Sequence, residues 1–197
     1  MVTKVQYYVA ASVDGFIADR EGGLDWLLQF GFEEFTAHYD AFLAEVGVVV
    51  MGSATYEWLL AAGEEWAYPD LVTWVLSSRA LPVVEGGDIR FAHGDVSALH
   101  ADWMRAAGGK NIWIVGGGVL AAQVAEAGLL DELWLTTMPV VLGAGTPLLP
   151  LSTVASRALT VRETAVTPSG AVATVYTFGP ISPSAADDSE RDADRRP

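Results

Sequence analysis

The chain has 197 residues, 51% of them hydrophobic, with a formal net charge of -14 from 25 acidic against 11 basic residues, and no cysteine. That size and apolar content suit one globular domain with a substantial core. The acidity argues against nucleic acid or an anionic membrane as partner, and the lack of cysteine excludes disulfides, thiol nucleophiles and thiolate metal sites. A small anionic ligand stays open, because it needs only a local nest of N–H groups and one or two cations.

Val5 to Ala11 is a β-rich run that ends in the turn signal Ser12-Val13-Asp14-Gly15, followed by the short run Phe16-Ile17-Ala18. From Phe32 to Val46, apolar residues fall at the spacing of one helix face, and Gly47 is expected to stop that helix. Val48 to Met51 reads as a strand covered on both faces, leading through Gly52-Ser53-Ala54-Thr55 into a helix over Tyr56 to Ala62. Val72 to Leu76 and Ile89 to Phe91 are further strands, and Asp95 or Ser97 is placed to cap a helix that stops at Gly108-Gly109. Ile112 to Val115, the glycines 116–118 and a helix from Val119 to Ala127 form another strand–helix unit, with Leu133 to Thr137 as the next strand. Ala158 to Thr164 and Ala171 to Phe178 flank Pro168-Ser169-Gly170 as a hairpin.

These elements predict an α/β fold of three layers, with a mostly parallel central sheet, helices on both faces and a C-terminal antiparallel β-hairpin. Residues 1–180 form the domain, and the apolar-poor, charge-rich residues 181–197 are expected to be a disordered acidic tail. The N-terminus lacks the basic start and cleavage motif of a secretory signal, and there is no run of about 20 apolar residues. A cytoplasmic location is expected.

Ligands bind along the rim where parallel strands end. Three such ends carry glycine or small polar residues: Gly52 to Thr55, Ser77 to Arg79 and Gly116 to Gly118. Glycines that open a helix let an anion approach unpaired N–H groups at its positive dipole end, and Ser77, Ser78 and Arg79 could grip a second phosphate. The same residues fit plainer roles. The glycines could serve close packing, Ser53 and Thr55 could be helix caps, and Ser77 to Arg79 could be a surface turn.

Taken in order, V-A-A-S-V-D-G-F-I-A, V-V-M-G-S-A-T-Y-E, V-L-S-S-R, I-V-G-G-G-V-L and P-V-V-L-G-A-G-T-P resemble the dihydrofolate-reductase-like superfamily. More narrowly, they resemble the reductase domain of the riboflavin-pathway deaminase-reductase and its stand-alone relatives. The resemblance implies NADPH along the rim, with Ala11, Ile17 and Trp26 near the nicotinamide. It places Gly52, Ser53 and Thr55 at the phosphates, Ser77, Ser78 and Arg79 at the adenosine end, and Gly116, Gly117, Gly118, Val119 and Leu120 at the pyrophosphate. It also implies hydride transfer to a small heterocyclic substrate and a homodimer, while Asp14 has a structural role in its turn.

The acid that dihydrofolate reductases carry on their first helix aligns near Thr36, and Glu34 is the candidate pocket acid here. The alternative for Glu34 is an exposed carboxylate paired at helical spacing with His38. Where riboflavin-pathway reductases commonly place a substrate-contacting glutamate before the paired glycines, this chain has Val115. Basic residues for a substrate phosphate are scarce around the motifs. Trp26, Tyr56 and Trp58 suit stacking on a flat ring, with Trp58 assigned to the core. His38, His93 and His100 lack metal-ligand spacing, so no metal site is expected. Two other readings remain: a non-catalytic nucleotide-binding domain of this fold, and a Rossmann dehydrogenase, since Gly116 to Ala121 fits G-x-G-x-x-A.

Overall fold

Period-two alternation along buried β-branched strands sorts their side chains onto two faces, and each face is then closed by helices. The computed structural model describes residues 2–63, 65–152 and 157–179; the tail expected at 181–197 lies outside the described residues. The chain runs β1 (Val5–Ser12), β2 (Phe16–Ala18), α1 (Asp25–Leu28), α2 (Thr36–Ala44), β3 (Val46–Gly52), α3 (Ser53–Ala62), β4 (Val72–Leu76) and β5 (Ile89–Ala92). It continues with α4 (Val96–Ala106), β6 (Asn111–Gly116), α5 (Gly118–Glu126), β7 (Glu132–Met138), β8 (Thr146–Pro147), β9 (Leu159–Val166) and β10 (Val172–Phe178). The main sheet has eight strands in the order β5-β4-β3-β6-β1-β7-β10-β9. β5 to β7 are parallel, and β10 and β9 add an antiparallel edge.

On one face Val48, Val50, Ile112 and Ile114 pack with Trp103 of α4 and with Leu120 and Val124 of α5. On the other, Val49, Met51 and Trp113 meet Phe42 of α2 and Tyr56 of α3. Adjacent strand residues therefore feed opposite cores, which makes the three layers. The Asp95 carboxylate caps α4 by accepting from the Ser97 N–H at 2.7 Å.

One expectation and one plainer alternative are corrected. The helix across Phe32–Val46 is shorter, because Val46 and Gly47 already belong to β3. A Cβ at Gly47 would collide with the Ala107 carbonyl, so this glycine lets β3 pass close to the end of α4 rather than stopping a helix. Neither Ser53 nor Thr55 caps α3: β3 runs directly into it, with Gly52 at the N-cap position and no side-chain cap. The two-stranded sheet of β2 and β8 was not foreseen.

At the edge opposite the strands' C-terminal ends, Glu132 of β7 is 1% exposed. Its carboxylate accepts from Lys4 and Arg162 at 2.5 Å each, from Gln6 at 2.8 Å and from the Trp134 indole at 2.9 Å. Burial pushes the carboxyl up, but the bonds from Lys4, Gln6 and Trp134 and the charge of Arg162 outweigh it and hold it below the ordinary glutamate range. The folded state therefore binds fewer protons than the unfolded chain. The network stabilises fully above the ordinary glutamate value of about 4.3, and that stabilisation is lost as pH falls through the lower folded value. Glu132→Gln should cost about 1–3 kcal/mol at neutral pH and flatten the acid limb of a urea-denaturation series. An unchanged acid limb would remove Glu132 from the pH response.

Gly118 opens α5 directly against the loop carrying β8, and a Cβ there would collide with the Pro147 carbonyl oxygen. Gly118→Ala should therefore destabilise by about 1–3 kcal/mol in the same assay. Wild-type stability would show that this loop yields freely.

Candidate active-site cleft

Because β1, β3, β4, β6 and β7 run parallel, Ser12, Gly52, Leu76, Gly116 and Met138 end along one edge. β6 is inserted between β3 and β1. α3 leaves β3 toward one core and α5 leaves β6 toward the other, so the chain parts at Gly52 and Gly116. A crevice follows from that divergence. A Cβ on Gly116 would stand 3.0 Å from the Thr55 hydroxyl, while the space beside Gly117 is open. The Gly116–Gly117 peptide is cis. Gly52 and Gly117 are the N-cap residues of α3 and α5, and neither helix has a side-chain cap. Their first-turn N–H groups are left for another acceptor.

The crevice opens into a cleft of about 640 Å³ that reaches from Thr55, Gly116 and Gly117 across β1 to α1 and the start of α2, within the size range of small-molecule sites. Ile17, Leu27, Leu28, Phe32, Phe35, Trp58, Trp113 and Met138 supply its apolar surface, and Tyr8, Thr36, Tyr39, Tyr68 and Thr136 supply hydroxyls. Burial pushes the Tyr8 phenol up to about 12, with Tyr39 adding to the shift. Burial likewise raises Tyr39, against an opposing influence of Tyr68. These phenols are protonated at neutral pH and can donate hydrogen bonds. A side cavity of about 190 Å³ adjoins over Tyr8, Phe35 and Thr136, where His38 lies 3.4 Å from the Tyr8 hydroxyl and against Trp134.

The residues singled out in the sequence separate into groups. Ile17, Thr55, Gly116 and Gly117 line the cleft, and Gly52 and Ser53 stand at the start of α3 beside it. Val119 is exposed in the first turn of α5. Ala11 is buried next to the lining residue Ala10, and the Leu120 side chain packs in the core. Trp26 is buried against Met138 and Ala171. Ser77 and Arg79 form a local turn, in which the Ser77 hydroxyl accepts from the Arg79 N–H at 2.9 Å. Ser78 lies within that turn, and the Arg79 guanidinium makes a bidentate pair with Glu57 of α3 at 2.7 and 3.0 Å. Glu34 does not pair with His38. It accepts from the Ser169 N–H at 3.1 Å and from the Ser169 hydroxyl, tying the approach to α2 to the β9–β10 turn.

Trp58 is a correction: it is 38% exposed and lines the cleft, whereas Tyr56 is fully buried and donates to the Pro82 carbonyl at 2.7 Å. Tyr8, Tyr39, Tyr68, Trp113 and Thr136 were not picked out as lining residues. Their alternation marks a sheet or helix face but not which part of that face stays uncovered. Asp14 holds the Asp-Gly turn to the following loop by accepting from the Leu142 and Gly143 N–H groups at 3.1 and 2.7 Å. The Ser12 hydroxyl and these N–H groups keep its carboxyl below the usual range.

A family model for the RibD C-terminal domain matches residues 95–174. An uncharacterized Bacillus subtilis protein, YwjB, is 32% identical over 148 residues, covering 75% of this chain and 83% of that protein. The chain belongs to the RibD C-terminal domain family. Solved structures agree with the assignment. A Shewanella sp. PV-4 protein provisionally assigned to riboflavin biosynthesis is 28% identical, with a TM-score of 0.78 over 89% of this chain and 99% of that one. Dihydrofolate reductase from Enterococcus faecalis, solved with NADP(H), shares the fold at 19% identity, with a TM-score of 0.59 over 89% of this chain and 96% of that one. As a RibD C-terminal family member the chain is not a Rossmann dehydrogenase: its glycine motif follows β6 inside the sheet rather than the first strand. Among the described residues no helix is long and apolar enough to cross a membrane.

Proposed function

We propose that the chain is an NADPH-dependent reductase that delivers hydride to a C=N or C=O carbon of a small heterocyclic substrate. One observation carries this reading: the cleft opens at the strand-end edge onto Gly117, between two glycine-started helices whose first N–H groups have no side-chain acceptor. The open space beside Gly117 and the Thr55 hydroxyl against Gly116 fit a pyrophosphate approaching the backbone closely. Gly52, Ser53, Thr55 and residues 117–120 would hold the phosphates. Ser77, Ser78 and Arg79 would meet the adenosine end, where Arg79 exchanges part of its contact with Glu57 for a ligand phosphate.

When bound, the cofactor supplies the hydride. The protein's part is to seat a flat ring among Phe32, Phe35 and Trp58, exclude water with this apolar wall, and meet the heteroatom that gains negative charge with a phenol or threonine hydroxyl. The proton that completes reduction comes through these hydroxyls or from water, since among the described residues the cleft wall holds no carboxylic acid or histidine, and His38 reaches it only through the Tyr8 hydroxyl. That lack of an acid also favours a second reading, a domain that binds the nucleotide without turnover.

Fluorescence titration should give NADPH binding in the micromolar range, and NADPH oxidation should follow with at least one of dihydrofolate, pyrimidinone and quinone substrates. Binding without oxidation by any of them supports the second reading, and no binding sinks both. Thr55→Val, which keeps the side chain's shape and removes its hydroxyl, should weaken NADPH binding about fivefold, near 1 kcal/mol. Unchanged affinity would leave Thr55 with a packing role only.

A further inference from the structure

Among the described residues the wall of the cleft carries no Lys, Arg, His, Asp or Glu side chain, and Glu34, His38 and Glu163 line only the side cavity. The polar groups of the wall are hydroxyls, two indole N–H groups and backbone, and the mouth is apolar: Phe32, Leu28 and Trp58 are 59%, 41% and 38% exposed. Large apolar side chains left in water around one opening are the signature of a surface that a ligand covers. The segments bordering that mouth are acidic. Phe32 is followed by Glu33 and Glu34, α1 begins at Asp25, and Asp19 and Glu21 flank the one basic residue of that loop, the exposed Arg20.

A phosphate group needs an arginine, a lysine or a nest of N–H groups to replace its water. The two nests at this edge, at the starts of α3 and α5, belong to the cofactor in the reading above. Nothing comparable is left at the substrate end. An anionic arm placed there would lose hydration without compensation and face like charge at the mouth.

Resting on the reductase reading, we propose that the substrate is a neutral, flat, unphosphorylated ring compound. Its faces lie between Phe32, Phe35 and Trp58, and its edge heteroatoms bond to Thr36, Tyr39 and Thr136. This separates the chain from enzymes whose substrate is recognised through a sugar phosphate. The departure follows from the composition of the cleft wall rather than from its shape.

Calorimetric titration of the full chain, saturated with NADP+, with lumichrome, riboflavin and FMN tests this. The three share one tricyclic ring, and FMN differs from riboflavin only by its phosphate. The neutral compounds should bind, and FMN should bind at least about tenfold more weakly than riboflavin, with the gap shrinking as salt is added. Glu33→Lys, at an exposed position beside the mouth and outside the cleft wall, should narrow the gap by strengthening FMN binding alone. FMN binding as tightly as riboflavin, or no binding of either neutral ring, overturns the proposal. NADPH is titrated separately. If it fails to bind while the preference for riboflavin persists without NADP+, the reductase reading falls and the neutral-ring site stands; if it binds and the preference is reversed, only the substrate inference falls.

Discussion

The close approach of three segments at the glycine triplet governs the rest of the molecule. β6 enters the sheet between β3 and β1, and its end must pass Thr55 of α3 at Gly116 and the carbonyl of Pro147 at Gly118. Side chains at these points would push α3 and the β8 loop outward. Without them, α3 and α5 leave for opposite faces within two adjacent strand ends, and the gap between them is the crevice. Packing and binding at this triplet are one arrangement, so the packing role of the glycines and their proposed phosphate role do not compete.

Charge is divided between the two edges of the sheet. At the strand starts, Glu132 gathers Lys4, Gln6, Trp134 and Arg162 into a network that fastens β1, β7 and β9. At the strand ends, among the described residues, ionic contact is confined to the exposed Arg79–Glu57 pair outside the cleft. The wall between is hydroxyl and hydrocarbon. A low-dielectric cavity of this kind strengthens each hydrogen bond made inside it and penalises any unpaired ion. Stability against acid and the proposed recognition of ligand therefore rest on groups at opposite ends of the same strands.

Much of the fold was legible because strand runs such as Val72–Leu76 and Val48–Met51 are short, β-branched and bounded by turn residues. The order of small residues after them also marked the rim. What stayed hidden depends on partners distant in sequence. Thr146-Pro147 has no periodicity of its own and becomes a strand only by meeting Phe16 and Ala18. Trp58 sits on a helix whose spacing suggests burial, and it becomes a cleft wall because none of the described elements covers it. Glu34 looked like half of a local pair, but its acceptor role is used by Ser169, at a sequence separation of 135.

That bond between Glu34 and Ser169 gives the cleft a remote support. Phe32 and Phe35, which form one side of the opening, lie on the segment that the β9–β10 turn holds in place. The hairpin at the sheet edge thus acts as a strut for the opening. Sequence drift in its turn would retune the width of the entrance in related chains while the glycines at the strand ends stay the same.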